Sequence, residues 1–326
     1  MAGVPDGKPK SDTKGSRRLL CLSGGGYRGL FTAIVLEHIE AQLQLTGTQR
    51  LREHFDLVAG TSIGGLLACG IAAGIAARRL RETLEEDGGT VFPERSWPTA
   101  RQMVGPLYSG ATLAKVVRKA LGGAATQTLQ QIDVPLLVPA VSWISGEVVT
   151  FESKGLAGTR APATTLLDVC LATSAAPTYF PAHALDSDVL VDGGLVANAP
   201  DLCALLAAQA RWRLPLTGYE VVSIGTAGSL AGGVAGNVPQ SGAKWAKGAQ
   251  IVKLALAAQE RLAVTQCESL LQSGFFRIDQ QPSQGHLELQ AMDQVDSSTT
   301  TTLRKLANDA IASARKNPPA WASQLV

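Results

Sequence analysis

The sequence predicts an α/β protein, a three-layer α/β/α fold with a mostly parallel central sheet. Short apolar runs alternate along the chain with longer segments whose apolar residues recur at helical spacing. The runs are apolar at consecutive positions, which is typical of strands buried on both faces of a parallel sheet. The chain has 326 residues, 45% of them hydrophobic, so it can bury one large core.

The predicted elements follow in chain order. We predict strands at residues 18–23, 55–59, 136–141, 148–151, 189–191, 220–224 and 275–278. We predict helices at residues 30–43, 62–77, 166–172, from about Pro200 onward, and at 243–264 and 301–315. Residues 91–107, which contain three prolines, and residues 227–241 are predicted to be irregular insertions that shape the mouth of a site.

The composition of the chain excludes several classes of function. The net charge of +2 gives no reason to expect a nucleic-acid partner. Residues 1–16 are basic and rich in Gly, Pro and Ser, and they lack the apolar segment of a secretory signal, so we expect a flexible tail. The five scattered cysteines predict reduced thiols in a cytoplasmic protein, with no metal site. The longest apolar stretch, residues 65–77, is shorter than the about 20 residues of a membrane-spanning helix.

Three motifs carry the functional prediction. The first is GGGYRG at residues 24–29, where glycines let backbone N–H groups point at an anion. The second is GTSIG at residues 60–64, which has the spacing of a nucleophile elbow and places Ser62 before a helix. The third is DGG at residues 192–194, which puts a carboxylate at the end of a strand. Their shared position at the ends of predicted strands indicates an ester-cleaving site with Ser62 as nucleophile and Asp192 as base.

Together, GGGYRG, GTSIGG and DGGLVANAP resemble the signature motifs of the patatin-like phospholipases. The segment ATSAAPTYFP, residues 172–181, is also similar to one that this family carries between its serine and its aspartate. The likeness covers residues 18–206, which hold the catalytic motifs. It implies one phospholipase domain over residues 17–326, whose residues 207–326 form a helical, regulatory portion. The implied activity is that of a phospholipase A, acting on glycerophospholipid esters through a Ser–Asp dyad and an acyl-serine intermediate.

The resemblance also implies a role for each motif residue. Ser62 is expected to be the nucleophile and Asp192 the base, with burial raising the basicity of the aspartate. The backbone N–H groups expected to form the oxyanion hole are those of Gly24, Gly25, Gly26 and Ile63. The residues expected to support the motifs are Arg28, Gly29, Gly60, Gly64, Gly193 and Gly194. For Arg28 two roles stay open, steering a phosphate headgroup or bracing the loop.

Two alternative functions remain. One is a constitutive lysophospholipase or esterase with a triad of Ser62, Asp192 and His286, which have the chain order of α/β-hydrolases. The early position of Ser62, about 40 residues after the first strand by our coarse reading, argues against that fold. The other is a nucleotide-binding protein that is not an enzyme, since GGGYRG also fits G-x-G-x-x-G. That fingerprint needs an acidic residue at the end of the second strand, and here Asp56 lies at its start.

Regulation is implied by the resemblance alone. Within the family, this compact chain is most similar to bacterial effectors of anti-phage (CBASS) defence that a cyclic dinucleotide such as cGAMP switches on. It implies hydrolysis of the cell's own phospholipid at the inner membrane surface. Lys244, Lys247 and Lys253 of the predicted helix 243–264 are candidate phosphate contacts, across a homodimer if one forms. The same helix also fits a core or dimer helix, or one that docks on anionic lipid.

Overall fold

The computed structural model describes residues 15–45, 50–93, 105–153, 156, 163–228, 250–282 and 291–326. The strands are β1 (Arg17–Leu22), β2 (Leu57–Gly60), β3 (Leu136–Ser142), β4 (Val148–Glu152), β5 (His183–Leu185), β6 (Asp188–Asp192), β7 (Tyr219–Ile224) and β8 (Phe275–Ile278). The helices are α1 (Gly29–Gln42), α2 (Ile63–Ala72), α3 (Ala77–Val91), α4 (Gly110–Leu121), α5 (Leu166–Thr173), α6 (Gly194–Ala197), α7 (Asp201–Trp212), α8 (Gln250–Leu271) and α9 (Ser297–Ala314).

Across the described ranges the strands form one eight-stranded mixed sheet in the order β5-β6-β3-β2-β1-β7-β8, with β4 paired to β3. Strands β1, β2, β3, β7 and β8 are parallel, whereas β4 and β6 run antiparallel to β3 and β5 runs antiparallel to β6. We call the edge where the parallel strands end the carboxyl edge, and the opposite one the amino edge. The mostly parallel sheet confirms the predicted fold class.

Each face of the sheet has its own apolar core. On β1, Leu20 and Leu22 point into the larger core, which α1, α2 and α3 cover. The alternate residues Leu19 and Cys21 point into a smaller core that α7 and α8 cover. Successive side chains of a strand point to opposite faces, so a run that is apolar throughout requires helices on both sides. The three layers therefore follow from the sequence of β1 itself.

Some predicted elements differ from the structure. The helix predicted at residues 62–77 ends at Ala72, because Gly74 adopts φ +81 and turns the chain into α3. Helices α3, α4 and α6 and strand β5 were not predicted. The closing helix begins at Ser297, four residues before its predicted start, because the Asp296 carboxylate accepts a hydrogen bond from the N–H of Thr299 and caps it.

Several predictions concern residues outside the described ranges. They include residues 1–14 of the predicted tail, residues 94–104 and 229–241 of the two predicted insertions, Lys244 and Lys247 of the predicted basic helix, and His286. The described part of that helix is α8, which extends to Leu271. None of the described helices has both the length and the hydropathy needed to cross a membrane.

Candidate active site

Ser62 lies at the carboxyl edge, between the last residue of β2 and the first turn of α2. Its backbone adopts φ 54 and ψ −124, a conformation that costs a side-chain-bearing residue on the order of 1–3 kcal/mol. The Thr173 hydroxyl accepts the Ser62 N–H at 3.0 Å and donates to the Pro139 carbonyl at 2.7 Å. The Thr61 hydroxyl donates to the Ala197 carbonyl at 2.5 Å. These contacts hold the turn in a shape that the isolated chain would avoid.

The same edge brings Asp192 to Ser62, although 130 residues separate them in the chain. Asp192 ends β6, and its backbone N–H donates to the Ala175 carbonyl at 3.0 Å. The Ser62 hydroxyl donates to Oδ2 of Asp192 at 2.7 Å. The N–H of Gly194 donates to the other carboxylate oxygen at 2.7 Å. One oxygen is thus fixed by the backbone, while the other faces the serine as a base must.

Burial changes the chemistry of this carboxylate. Asp192 is only 5% exposed, and this burial raises the pKa of its carboxyl to about 6. The hydrogen bonds from Gly194 and Ser62 act in the opposite direction and limit the rise. At pH 7 to 8 the group is therefore still largely ionised, yet it is a stronger base than an exposed aspartate.

The glycine-rich loop lies on the other side of Ser62. The Gly24 N–H already donates to the Asn198 carbonyl at 2.9 Å, so it is engaged within the protein. The N–H groups of Gly25, Gly26 and Ile63 meet no acceptor within the described part of the chain. All three residues line the cavity that contains Ser62. Gly26 has φ +58, which favours glycine, and a Cβ there would collide with the Met292 carbonyl, which accepts the Tyr27 N–H at 2.8 Å.

The remaining motif glycines allow close packing around the dyad. A Cβ atom at any of them would collide with a neighbouring group or crowd it. The contacts are Gly29 with Ile63, Gly60 with the carbonyl of Gly64, Gly64 with the carbonyl of Leu22, Gly193 with the carbonyl of Pro139, and Gly194 with the Asp192 carboxylate. These positions require glycine for its small size.

Arg28 belongs to the GGGYRG loop. Its side chain is buried, and burial lowers the pKa of its guanidinium, while the carboxylates of Glu260 and Asp279 act in the opposite direction. A guanidinium held there supports the bracing role and disfavours direct contact with a lipid headgroup.

An apolar cavity leads away from Ser62 and Asp192. It encloses about 1020 Å³ when its open mouth is included. Its walls are apolar side chains of α2, α3 and α4, namely Leu66, Leu84, Val91, Leu113 and Val116, together with the aromatic rings of Phe92, Tyr179 and Phe180. Tyr179 and Phe180 belong to the ATSAAPTYFP segment, so this segment both supports the dyad and lines the cavity. An apolar channel beside a serine suits a fatty acyl chain.

Sequence reasoning missed a polar network behind the glycine loop. Arg277 on β8 forms ion pairs with Glu260 at 3.0 Å and with Asp279 at 2.7 Å, and it donates to the hydroxyls of Ser23 and Ser223. The other oxygen of Glu260 accepts from the Asn198 side chain at 2.6 Å. The arginine within the apolar run FFRI could have indicated this network, since an arginine in such a run needs buried partners.

The neighbouring residue of α8 extends this network to the DGG turn. Gln259 donates to the Gly194 carbonyl at 2.7 Å and accepts from the Asn198 N–H at 3.1 Å. Helix α8 thus clamps the segment that carries Asp192 and, through Asn198, the start of the glycine loop.

The histidines have other contacts. His183 pairs with Asp168 at 3.2 Å, as expected for a structural residue. In the described ranges, the recorded side-chain hydrogen bonds of Ser62 and Asp192 involve no histidine. No group of three or more His, Cys, Asp or Glu residues is arranged to hold a metal ion there. The alternative triad depends on His286, which lies outside those ranges.

Comparison with known proteins gives consistent matches. The family model described as patatin-like phospholipase matches residues 20–201. A cGAMP-activated phospholipase of Pseudomonas aeruginosa is 34% identical over 98% of this chain and 92% of its own length. A second protein of that description, from Vibrio cholerae, is 34% identical over 79% of both chains. Patatin-like protein 1 of Oryza sativa subsp. indica is 34% identical over 63% of this chain and 54% of its own length. The match to the Pseudomonas protein includes nearly all of the C-terminal portion.

Proposed function

The chain belongs to the patatin-like phospholipase family and is a lipid hydrolase, and from this premise we propose that it cleaves glycerophospholipid esters with Ser62 as nucleophile and Asp192 as base. The observation that carries the proposal is the 2.7 Å hydrogen bond from the Ser62 hydroxyl to a buried carboxylate at the end of an apolar cavity. The acyl chain of the substrate occupies that cavity, which places the ester carbonyl beside Ser62.

The first half of the reaction forms an acyl-enzyme. Asp192 takes the hydroxyl proton as Oγ of Ser62 bonds to the ester carbon, and the carbonyl electron pair moves onto oxygen. The tetrahedral intermediate then collapses and breaks the bond to the glycerol oxygen. The proton on Asp192 passes to this leaving oxygen, which releases the lysophospholipid. In the second half, Asp192 takes a proton from water as the water oxygen bonds to the acyl carbon. The bond from that carbon to Oγ of Ser62 then breaks, and Asp192 returns the proton to Oγ, which frees the fatty acid and restores Ser62.

The negative charge on the tetrahedral intermediate must be stabilised by hydrogen-bond donors. We assign the oxyanion hole to the backbone N–H groups of Gly25, Gly26 and Ile63, which meet no acceptor in the described ranges. The position of Ile63 at the start of α2 adds the favourable end of the helix dipole. Loss of one such donor typically costs about 3 kcal/mol of transition-state stabilisation. The N–H of Gly24, which is bonded to Asn198, serves to hold the loop.

We further propose that cGAMP activates the enzyme. Two relatives that are 34% identical are described as cGAMP-activated, and one of them aligns with 98% of this chain. The chain would act in the cytoplasm, peripherally on the inner membrane surface, and would degrade the cell's own phospholipid in antiviral defence. The regulatory portion, residues 207–326, includes α8, whose Gln259 and Glu260 hold the catalytic turns. A ligand that binds preferentially to the conformation with α8 in this position would increase activity.

The experiment measures fatty-acid release from phospholipid vesicles with and without 3′,3′-cGAMP. We expect release by the wild-type protein only with cGAMP, and none from Ser62→Ala or Asp192→Ala under either condition. Ser313→Ala is the control, because Ser313 is an exposed serine near the end of α9 and does not line the cavity. It should retain near wild-type activity.

Each outcome decides one part of the proposal. Full activity without nucleotide, and no rise in melting temperature on its addition, would eliminate activation and leave the hydrolase standing. Normal activity of Asp192→Ala would refute the dyad. Loss of activity in His286→Ala equal to that in Ser62→Ala would favour the triad.

A further inference from the structure

Several exposed apolar side chains lie at the carboxyl edge of the sheet, the edge at which the cavity also lies. Among the described residues they come from three separate elements, the β3–β4 turn, α6 and the first turns of α8. They are Trp143, Ile144, Val148, Leu195, Val196, Ile251 and Leu254. A contiguous exposed apolar surface on a protein of this size marks an interaction site.

The β3–β4 hairpin is the most prominent part of this surface. Asp192 pairs with Ala140, and β3 continues past that level to its end at Ser142. Trp143, at the turn, therefore lies about 10 Å beyond the catalytic carboxylate, at about 3.3 Å per residue. Its side chain is 75% exposed and that of Ile144 is 66% exposed.

Internal hydrogen bonds hold the hairpin tip in place. The Ser142 hydroxyl donates to Asp188 at 2.8 Å and accepts the Ser145 N–H at 3.1 Å. The Trp143 N–H donates to the Val189 carbonyl at 2.8 Å. These hydrogen bonds fix the position of the two large apolar side chains. Little conformational entropy is therefore lost when these side chains bind.

Helix α8 contributes the opposite side of the surface. Its C-terminal end leads through one short turn into β8, so its N-terminal end lies at the carboxyl edge. In its first turns, Val252 and Leu256 line the cavity, while Ile251 and Leu254 face solvent. Leu195 of α6 lies in a shallow groove beside them. Exposed apolar side chains of α6 and α8 thus adjoin the cavity, and those of the hairpin lie farther out at the same edge.

We propose that this surface docks on a phospholipid bilayer and places the cavity mouth against the lipid. The inference rests on the proposed phospholipid substrate, because an acyl chain that enters a cavity from a bilayer needs an apolar rim around the opening. A second copy of the chain seated here would instead cover the mouth. Trp143 suits the position, since tryptophan is enriched where membrane meets water.

The charge of the tip defines the kind of lipid surface. The β3–β4 turn carries Glu147, and the adjoining β5–β6 hairpin carries Asp186 and Asp188. The α8 flank carries Lys253, so these parts of the surface have no excess of positive charge. Docking is therefore driven by apolar insertion, and uncharged phosphatidylcholine vesicles should suffice.

The test compares two variants of the surface with two control variants. Trp143→Ser/Ile144→Ser and Leu254→Ser alter the surface. Leu270→Ser and Leu216→Ser are the controls at the amino edge, and Leu270 lies on the same helix as Leu254 with 45% against 41% exposure. Binding to phosphatidylcholine vesicles is measured by flotation in a Ser62→Ala background. Hydrolysis of the same vesicles and of monomeric p-nitrophenyl butyrate is measured in otherwise wild-type protein, all with 3′,3′-cGAMP.

We expect the hairpin variant to lose vesicle binding and vesicle hydrolysis at least about tenfold, as burial of large apolar side chains predicts. Leu254→Ser should show a smaller loss, while butyrate hydrolysis stays within about twofold and both controls match the wild type. Unchanged vesicle binding by the hairpin variant would overturn the proposal. Equal loss on both substrates would also overturn it, as would loss of a dimer in sedimentation, which would identify a second copy as the occupant. If wild-type protein binds vesicles but hydrolyses neither substrate, the proposed function fails while the docking surface stands.

Discussion

The two edges of the central sheet differ in how they use charge. At the amino edge, Arg17 pairs with Asp56 at 3.0 Å and Arg18 pairs with Glu220 at 3.1 Å, between neighbouring strands. The ring of Trp212 lies 5.2 Å from the Arg17 guanidinium and adds a cation–π contact. Every one of these contacts favours the folded state.

The carboxyl edge holds groups in costly states. Ser62 has a positive φ, and the buried Asp192 carboxylate accepts from a hydroxyl and an N–H, with no cation paired to it among the described residues. Burial raises the pKa of Asp192 to about 6. The amino edge thus carries ion pairs between strands, whereas the carboxyl edge combines two costly residues, Ser62 and Asp192, with ion pairs that support them. Function and stability are separated along the strand direction, and strained residues indicate the functional end.

The largest difference between the edges is expected when an aspartate at each edge is replaced by asparagine. Asp192→Asn should reduce hydrolysis at least about thousandfold, since the base is lost. It should also stabilise the protein by up to about 3 kcal/mol at pH 8, because a pKa raised by burial means that ionisation favours unfolding. This gain is complete above pH 6 and disappears as pH falls towards 3.8, the ordinary value. Urea unfolding at pH 8 and pH 4 measures it.

Asp56→Asn is the matched control for that experiment. Asp56 accepts from the Arg17 guanidinium and from the Arg18 N–H, so this variant should lose about 1–3 kcal/mol and keep its activity. A destabilised Asp192→Asn protein at pH 8 would contradict the contrast between the edges.

Removal of a buried cation tests how strongly the carboxyl edge depends on its supports. Arg277→Met leaves Glu260 and Asp279 without their shared partner and should cost about 3–5 kcal/mol. Arg18→Met at the amino edge should cost less, about 1 kcal/mol, because Arg18 is exposed to a similar extent but pairs, among the described residues, with Glu220 alone, whereas Arg277 holds two carboxylates and two serine hydroxyls. Chemical denaturation of both variants decides whether the edges differ in this way. Similar losses in the two would show that they do not.

The pH dependence of the reaction follows from the raised pKa of Asp192. The base works only when ionised, so kcat/KM on a monomeric ester should be flat above pH 7 and fall about tenfold per unit below pH 6. Initial rates between pH 4.5 and 8.5 provide the measurement. An inflection near pH 4 would indicate an exposed base and contradict the buried geometry.

The smallest effect is expected at the histidines. His183→Ala breaks the contact with Asp168 and should leave hydrolysis within about tenfold of the wild type. His38→Ala and His54→Ala should behave alike. A complete loss in any of these three variants would mean that the dyad is not sufficient.

The sequence revealed the parts of the molecule that depend on local chain geometry. The strand of consecutive apolar residues before GGGYRG predicted β1 and helices on both faces. The glycines around Ser62 predicted a tight turn because a Cβ there meets backbone. Helix α3 escaped prediction because its 15 residues include two glycines and many charges, although Leu80, Leu84 and Val91 keep helical spacing.

Contacts between distant segments had no such local signal. Arg277 and Glu260 are 17 residues apart, and Asn198 is 62 residues from Glu260, so only the folded sheet brings them together. The antiparallel β5 is three residues long, too short to show an alternation of apolar and polar positions.

The network behind the glycine loop has a consequence for biosynthesis. The catalytic motifs end before residue 206, but Glu260, Arg277 and the Met292 carbonyl hold them in place. Translation proceeds from the N-terminus, so a nascent chain that has already exposed Ser62 and Asp192 still lacks β7, α8 and β8. We therefore expect a ribosome-bound or prematurely terminated chain to be inactive, and activity to appear only after synthesis has passed residue 292.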